Sequence, residues 1–379
     1  MSINYDYDLI IIGAGCAGLS LAHRLIGEDY KVCILELSNN INSKNKLWSF
    51  WDTYETPYKD IVKKKWVHLI IKDKNNTSEI NCDRYSYNSI DSHDFNNYIF
   101  KGIKKNKNID LILSSKVLNI RKEEKSICVT TNKNKYICKH VFDSRPDNIK
   151  VYMWQQFFGS YIKTEQEIFD DQKATFMEFS TLRNKFHFMY ILPFSPTEAL
   201  IESTYFSSKK ENNMLDEEII KKYMQNNFPN SEFKIVKSEH GSIPMDTKIK
   251  AGSQKYITKI GSYSGATRAS TGYTFINIQK QVDHIIELLP RILMGKGTQK
   301  SNFHSYFLRK MDQVFLDIVD DDPEFMKGAL IKLFSSKNHD AQIRFLSDIP
   351  SIFDLIKVII LLPKIKFLKY SLGFMRKND

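Results

Sequence analysis

The spacing of apolar residues changes character along the chain, and each change marks a different kind of element. The opening segment carries an unbroken apolar run, Leu9-Ile10-Ile11-Ile12, then Gly13-Ala14-Gly15-Cys16-Ala17-Gly18, a helical stretch and a second apolar run, Val32-Cys33-Ile34-Leu35, closed by Glu36. Continuous apolar runs belong to strands buried on both faces, so this segment predicts a βαβ unit of a parallel sheet. Short strands follow at 66–71, 79–85, 109–113, 116–122 and 126–130, with a helix over 92–105 that takes Ser92 as its N-cap. From 151 the pattern shifts to longer, aromatic-rich strands at 154–162, 174–179, 186–192, 199–206 and 233–238, interrupted by a helix over 216–228. Beyond 300 the period is helical, over 303–319, 323–334, 339–347 and 351–371.

The first glycine pattern assigns a class of ligand. Gly13 permits a tight turn, Gly15 lets the backbone approach a pyrophosphate, and Gly18 lets the helix pack close to the strand. The phosphates then face the positive end of the helix. Glu36 lies about twenty residues beyond the fingerprint, where an acid accepts hydrogen bonds from ribose hydroxyls and disfavours a 2′-phosphate. Strand, glycines, helix and acid together predict a bound dinucleotide.

A second glycine-rich stretch runs from Gly261 to Tyr273, between a strand at 256–260 and a helix over 274–289. Its backbone N–H groups, at Gly265, Thr271 and Gly272 in particular, suit the oxygens of the same cofactor. A turn at 143–146 marks the exit from the first domain. The expected architecture is α/β: a Rossmann-like cofactor domain over 1–150 and 251–300, an inserted antiparallel-sheet substrate domain over 151–250, and a helical C-terminal region over 301–379.

Composition narrows the partners. With 42% hydrophobic and 26% charged residues, the 379-residue chain is of the globular class and long enough for two structural units. A formal charge of +11 suits nucleic acid or anionic lipid, and no nucleic-acid motif accompanies it. Lys63-Lys64-Lys65 reads as a solvated face. Cys16, Cys33, Cys82, Cys128 and Cys138 have neither metal-ligand nor disulfide spacing, which predicts no metal and a reducing compartment. The first apolar run belongs to the cofactor strand, so no signal peptide is expected, and no stretch reaches the ~20 apolar residues of a membrane span.

Two further features bear on an apolar ligand. Leu47-Trp48-Ser49-Phe50-Trp51 follows a polar loop over 38–46, so Trp48 and Phe50 either line the substrate cavity or belong to the core. The tail over 352–370 mixes large apolar residues with lysines, which suits a helix lying in a membrane interface or a core helix with snorkelling lysines.

Together these segments resemble the bacterial-type lycopene β-cyclases, flavoproteins that close the ionone rings of carotenoids. The resemblance rests on Tyr7 to Gly18, on Trp48-Ser49-Phe50, on Gln155 through Gly159, on Tyr190 through Tyr205 and on Gly265 to Tyr273. It implies an FAD-binding Rossmann-like domain of the glutathione-reductase/hydroxylase type, reduced FAD as cofactor and NAD(P)H as reductant. It also implies lycopene and related acyclic or monocyclic carotenes as substrates. The implied location is cytoplasmic, at the inner face of the membrane.

The implied reaction is redox-neutral: a proton adds to the terminal double bond, a neighbouring alkene attacks the cation, and a proton leaves. In the segment Leu200-Ile201-Glu202, Glu202 matches the acid regarded as essential in that family. Burial would keep such a carboxyl protonated near neutral pH, as a general acid must be. Reduced FAD is implied to stabilise the cation electrostatically. Glu178 and Tyr205 are further candidate lining residues, although Met177-Glu178 stands where the family usually has Met-Asp. The competing functions are a flavin-dependent isoprenoid reductase or hydroxylase of the same fold and a non-catalytic carotenoid-binding flavoprotein. The former usually carries Gly-Asp-Ala at the second cofactor motif, where this chain reads Ser264-Gly265-Ala266.

Overall fold

Leu9 to Ile12 lose nearly all their exposure in the strand Tyr7–Ile12, which lies inside an eight-stranded sheet. The structure is a computed structural model and describes residues 4–43, 45–211, 217–249, 253–296, 304–337 and 339–373. Tyr7–Ile12 pairs in parallel with Val32–Leu35 on one side and Lys135–Asp143 on the other, and Ile109–Ile112 and Ile257–Lys259 extend the parallel ladder outward. Period-two alternation sends Leu9 and Ile11 to one core, shared with the helices Cys16–Arg24, Ser92–Lys105 and Phe275–Leu293. Ile10 and Ile12 face a second core on the opposite side. The helix Ser92–Lys105 is capped by Asp91 rather than Ser92, because the Asp91 carboxylate accepts the His93 N–H at 2.9 Å.

The second sheet has seven strands, in the order Phe233–Met245, Met153–Thr164, Glu198–Ser207, His187–Ser195, Lys173–Ser180, His68–Lys72 and Thr77–Asn81. The first five are antiparallel neighbours. His68–Lys72 comes from the N-terminal segment yet pairs in parallel with Lys173–Ser180, burying Leu69 and Ile71. The short strands of that segment are therefore displaced from the expected 66–71 and 79–85. The aromatic run Leu47–Trp51 is also a strand, in a three-stranded sheet with Tyr87–Asp91 and Lys64–Trp66. Most consequential for the site, the strand expected at 233–238 continues to Met245.

The helical region comprises Tyr306–Asp321, Pro323–Phe334, His339–Leu346, Ile352–Leu361 and Lys364–Ser371. The single helix expected over 351–371 is broken at Pro363, whose ring fixes φ and removes the N–H needed to continue, and Leu362 before it is extended with ψ 147. Residues 216 and 303, where helices were expected to begin, lie outside the described residues, as do 374–379.

The second glycine-rich stretch is fastened to this region by a buried ion pair. Arg268 is fully buried and donates to Asp312 at 3.1 Å, with Asp348 at 3.4 Å and the Phe345 carbonyl as a further acceptor. Removing one partner of a buried pair leaves an uncompensated charge. Arg268→Ala is expected to lower stability by about 3–5 kcal/mol, read as a fall in the thermal melting temperature by circular dichroism.

Candidate active site

A cavity of about 1290 Å³ lies between one face of the seven-stranded sheet, the C-terminal helices and the cofactor unit. Cys16 at the start of the first helix lines one end, and Ile359 and Leu368 line the other. Aromatic side chains recur around its wall, among them Phe186, Phe188 and Phe206 from the sheet and Phe334 from the helices. Glu202 is the one carboxylate that the sheet contributes to this lining.

The register explains how Glu202 comes to lie there. In an antiparallel ladder, residues directly opposite share a face. Glu202 lies opposite Tyr190 on one side and Gly159 on the other, and Gly159 lies in turn opposite Glu239 of the strand Phe233–Met245. Tyr190, Glu202, Gly159 and Glu239 thus form one row across the sheet. Gly159 leaves room in that row: a Cβ placed on it would lie 3.5 Å from both Cβ and Cγ of Glu202 and 2.9 Å from Leu200 Cδ1.

Glu202 is only 9% exposed, and Thr204 Oγ1 donates to its Oε1 at 2.5 Å. Burial pushes its carboxyl up to about 7, against the lowering influence of the Thr204 hydrogen bond and of Lys46. Glu239 is 3% exposed and accepts from the Tyr161 hydroxyl at 3.2 Å. Its carboxyl is pushed up to about 8, by burial first and by the neighbouring Glu202 second. Around them the Tyr87 and Tyr190 hydroxyls meet at 2.8 Å, and Trp51 Nε1 donates to the Tyr273 hydroxyl at 3.1 Å. Burial holds all three tyrosines well above the ordinary phenol range, so they act as hydroxyl donors and acceptors rather than phenolates.

The residues at the other end fit a dinucleotide. A Cβ on Gly18 would lie 1.9 Å from the Gly13 carbonyl oxygen, so helix and strand approach each other as closely as the motif requires. A Cβ on Gly15 would meet nothing within 4 Å, which leaves open space beside the helix N-terminus for a pyrophosphate. Glu36 stands over the same loop, its carboxylate accepting the N–H of Ala14 at 2.7 Å and of Ser38 at 2.8 Å. Within the cavity, beside Gly272, the buried Gln155 Oε1 has no hydrogen-bond partner among the described residues, an acceptor in want of a donor.

The candidates chosen from the sequence divide accordingly. Glu202, Trp48, Thr271 and Gly272 line the cavity. Gly13, Gly15, Gly18 and Glu36 form the phosphate end, whereas Gly265 makes a left-handed turn whose carbonyl accepts from His304 Nε2 at 3.1 Å, away from the cavity. Phe50 lies on the same side of its strand as Trp48 but stacks on Phe275 at 4.7 Å in the core. Glu178 lies outside the cavity, paired with Lys72 at 3.0 Å and with the Tyr223 hydroxyl at 2.6 Å, while Met177 takes the lining position. Tyr205 is offset by three residues from Glu202, so alternation turns it to the reverse face, where its hydroxyl donates to Glu211. Glu239 was not among the candidates because it falls beyond the expected end of its strand. Its signal in the sequence was a lone Glu in an alternating stretch, which gives no facing by itself.

A family model described as lycopene cyclase protein matches residues 8–371. The chain belongs to the lycopene cyclase family. No curated protein matches it in a sequence search. This lycopene cyclase family member has the fold of several solved flavoproteins. One is a geranylgeranyl bacteriochlorophyll reductase-like protein from Thermoplasma acidophilum, with TM-score 0.65 and 11% identity over 97% of this chain and 99% of that one. Another is a flavoprotein/dehydrogenase from Cytophaga hutchinsonii, with TM-score 0.65 and 13% identity over 97% and 100%. A flavin-dependent brominase aligns with TM-score 0.64 and 14% identity over 97% and 99%. At these identities the likeness establishes a shared fold, here the FAD-binding Rossmann-like architecture with an inserted sheet and a helical C-terminal region.

Among the described residues of this family member, no cluster of His, Cys, Asp and Glu is arranged to hold a metal ion. The glycines of the phosphate loop are separable by experiment. Gly18→Ala is expected to destabilise the fold by about 3 kcal/mol through overpacking, and Gly15→Ala by about 1 kcal/mol or less, both read by urea denaturation.

Proposed function

We propose that this lycopene cyclase family member is a lycopene β-cyclase, closing the ψ-ends of lycopene to β-ionone rings by way of γ-carotene to β-carotene. The observation that carries the reading is a carboxyl, Glu202, buried on the wall of a large aromatic cavity and held near neutral pKa. A general acid works best when its pKa lies near the operating pH, because the group is then both protonated and willing to release its proton. The protonated Glu202 delivers its proton to the terminal double bond of the polyene. The resulting tertiary cation is attacked by the neighbouring alkene to form the ring bond, and loss of a proton from the ring completes a reaction with no net change in protons or electrons.

FAD fits the open phosphate loop, Glu36 and the Thr271-Gly272 wall, and in its reduced form it supplies an electron-rich ring that stabilises positive charge; NAD(P)H is the reductant in this reading. The wall excludes water that would otherwise trap the cation. Tyr190, Tyr87 and Tyr273 contribute polar hydroxyls without adding a formal charge.

An apolar C40 substrate points to a lipid source, and the cavity's outer end supports one. Ile359, Leu368 and Leu372 line that end while also facing outward, and Ile352, Phe353, Ile356, Ile360 and Ile365 extend the apolar surface beside them. Lys357, Lys364 and Lys369 stand among these residues on a chain of charge +11, as suits an anionic membrane face. Among the described residues no helix is long and apolar enough to cross a membrane, so the reading is peripheral docking.

The deciding experiment is pigment chromatography of lycopene-accumulating cells expressing the chain. Conversion to a cyclic carotene is expected; unchanged lycopene with FAD bound to the purified protein would overturn the reading. Glu202→Gln should retain flavin and lose cyclisation, and wild-type turnover should fall as pH rises through about 7 and above, where the carboxyl gives up its proton. For membrane docking, Ile356→Glu combined with Ile360→Glu is expected to reduce co-sedimentation with anionic liposomes several-fold while leaving the thermal melt unchanged. Equal binding by variant and wild type would count against this face.

A further inference from the structure

We propose that Glu239 is a positioning residue of the same site, which shares one proton with Glu202 across Gly159 so that the two carboxyls act as a single acid. This rests on the reading of Glu202 as the proton donor and extends it to a residue that the sequence did not single out. The geometry is a row across the sheet: Glu202 and Glu239 are both opposite Gly159, one on each flanking strand, and therefore on one face. Ordinary side chains in such positions are separated by the side chain between them. Gly159 contributes none, and the space a Cβ would take there is bordered by Leu200 Cδ1 at 2.9 Å and by Cβ and Cγ of Glu202 at 3.5 Å. Both acids are buried, and each accepts one hydroxyl donor, Thr204 for Glu202 and Tyr161 for Glu239.

Two carboxylates in a water-poor site cannot both ionise without strong mutual repulsion, so they titrate as a pair. Lys46, from the loop before the Trp48 strand, favours the ionised form of both, and Lys237 favours that of Glu239, but Lys237 is also engaged by Asp91 at 3.0 Å. Tyr161, Tyr190 and Tyr87 stay neutral and supply no compensating charge. The pair therefore keeps one proton beyond the range in which a solvated glutamate would have lost it.

The proton traffic balances. The shared proton, carried by Glu202, goes to the terminal alkene carbon, which leaves two carboxylates beside the new cation, and the pair regains its one proton when the ring cation releases one. Nothing is oxidised or reduced. Glu239 acts through Glu202 and needs no contact with the substrate.

The test is an infrared titration of the carboxylic-acid carbonyl stretch in the purified protein without substrate, for wild type, Glu239→Gln and Glu202→Gln. Wild type is expected to lose two protons in separate steps, near the values of about 7 and about 8, and each single variant to lose one proton in a single step below the wild-type upper step. Two wild-type carboxyls that titrate as the plain sum of the two single variants would overturn the proposal. Because this measurement needs no turnover, it stands apart from the cyclase assignment. It also survives the loss of either variant to misfolding, since the other still reports the coupling.

In the active enzyme, Glu239→Gln should keep turnover within a few-fold at low pH and move the alkaline limb down by about one pH unit. A uniform loss at every pH with the limb unmoved would mark Glu239 as merely structural and overturn the proposal. Unmeasurable turnover in wild type alongside a two-step infrared titration would instead fault the cyclase reading and leave the carboxyl pair intact.

Discussion

Taking a carboxyl group out of water is costly, and the placement of Glu202 is the constraint around which the site is organised. In an aromatic cavity the charged form has little to solvate it, so the neutral acid persists where a surface glutamate would be ionised. That condition holds only while the wall stays closed to water. The seven-stranded sheet closes it on one side with Phe186, Phe188 and Phe206, and the helical region closes it on the other with Phe334 and its neighbours. The acid's proton is thus a property of the whole enclosure.

Small residues at a few positions allow the parts to approach. Gly18 lets the first helix lie against the strand that bears the phosphate loop, and Gly159 lets the Glu202 side chain lean over the middle strand toward Glu239. In both places a single added Cβ would meet atoms at less than ordinary contact distance. Where closeness is supplied by glycine, cohesion comes from elsewhere. Arg268, buried between Asp312 and Asp348, fastens the second glycine-rich stretch to the helices that form the far wall. The cofactor unit and the substrate wall are thereby held in one arrangement.

The flavoproteins that share this fold show how little of the chemistry the fold itself decides. In this chain the inserted sheet's inner face carries one acid row, aromatic side chains and tyrosine hydroxyls. The cavity's outer end completes the picture, since the residues that line it are also the exposed apolar residues of the last two helices.

Local patterns in the sequence determined the elements. The apolar runs around Gly13 to Gly18 read as strand and helix because burial on both faces leaves no polar positions, and the long strands of the insertion read from their aromatic, apolar composition. The resemblance carried by Leu200-Ile201-Glu202 pointed to the acid itself. Facing was less legible: Phe50, Glu178 and Tyr205 are candidate lining residues by motif and resemblance, yet period-two alternation or depth in the core turns each from the cavity. Pairing between distant strands was not legible at all. His68–Lys72 joins the inserted sheet from the N-terminal segment, and Glu239 meets Glu202 only because Met153–Thr164 lies between their strands with a glycine at the shared position. Secondary structure follows from interactions between near neighbours, which a sequence displays. A row of side chains across three strands follows from register, which only the folded sheet decides.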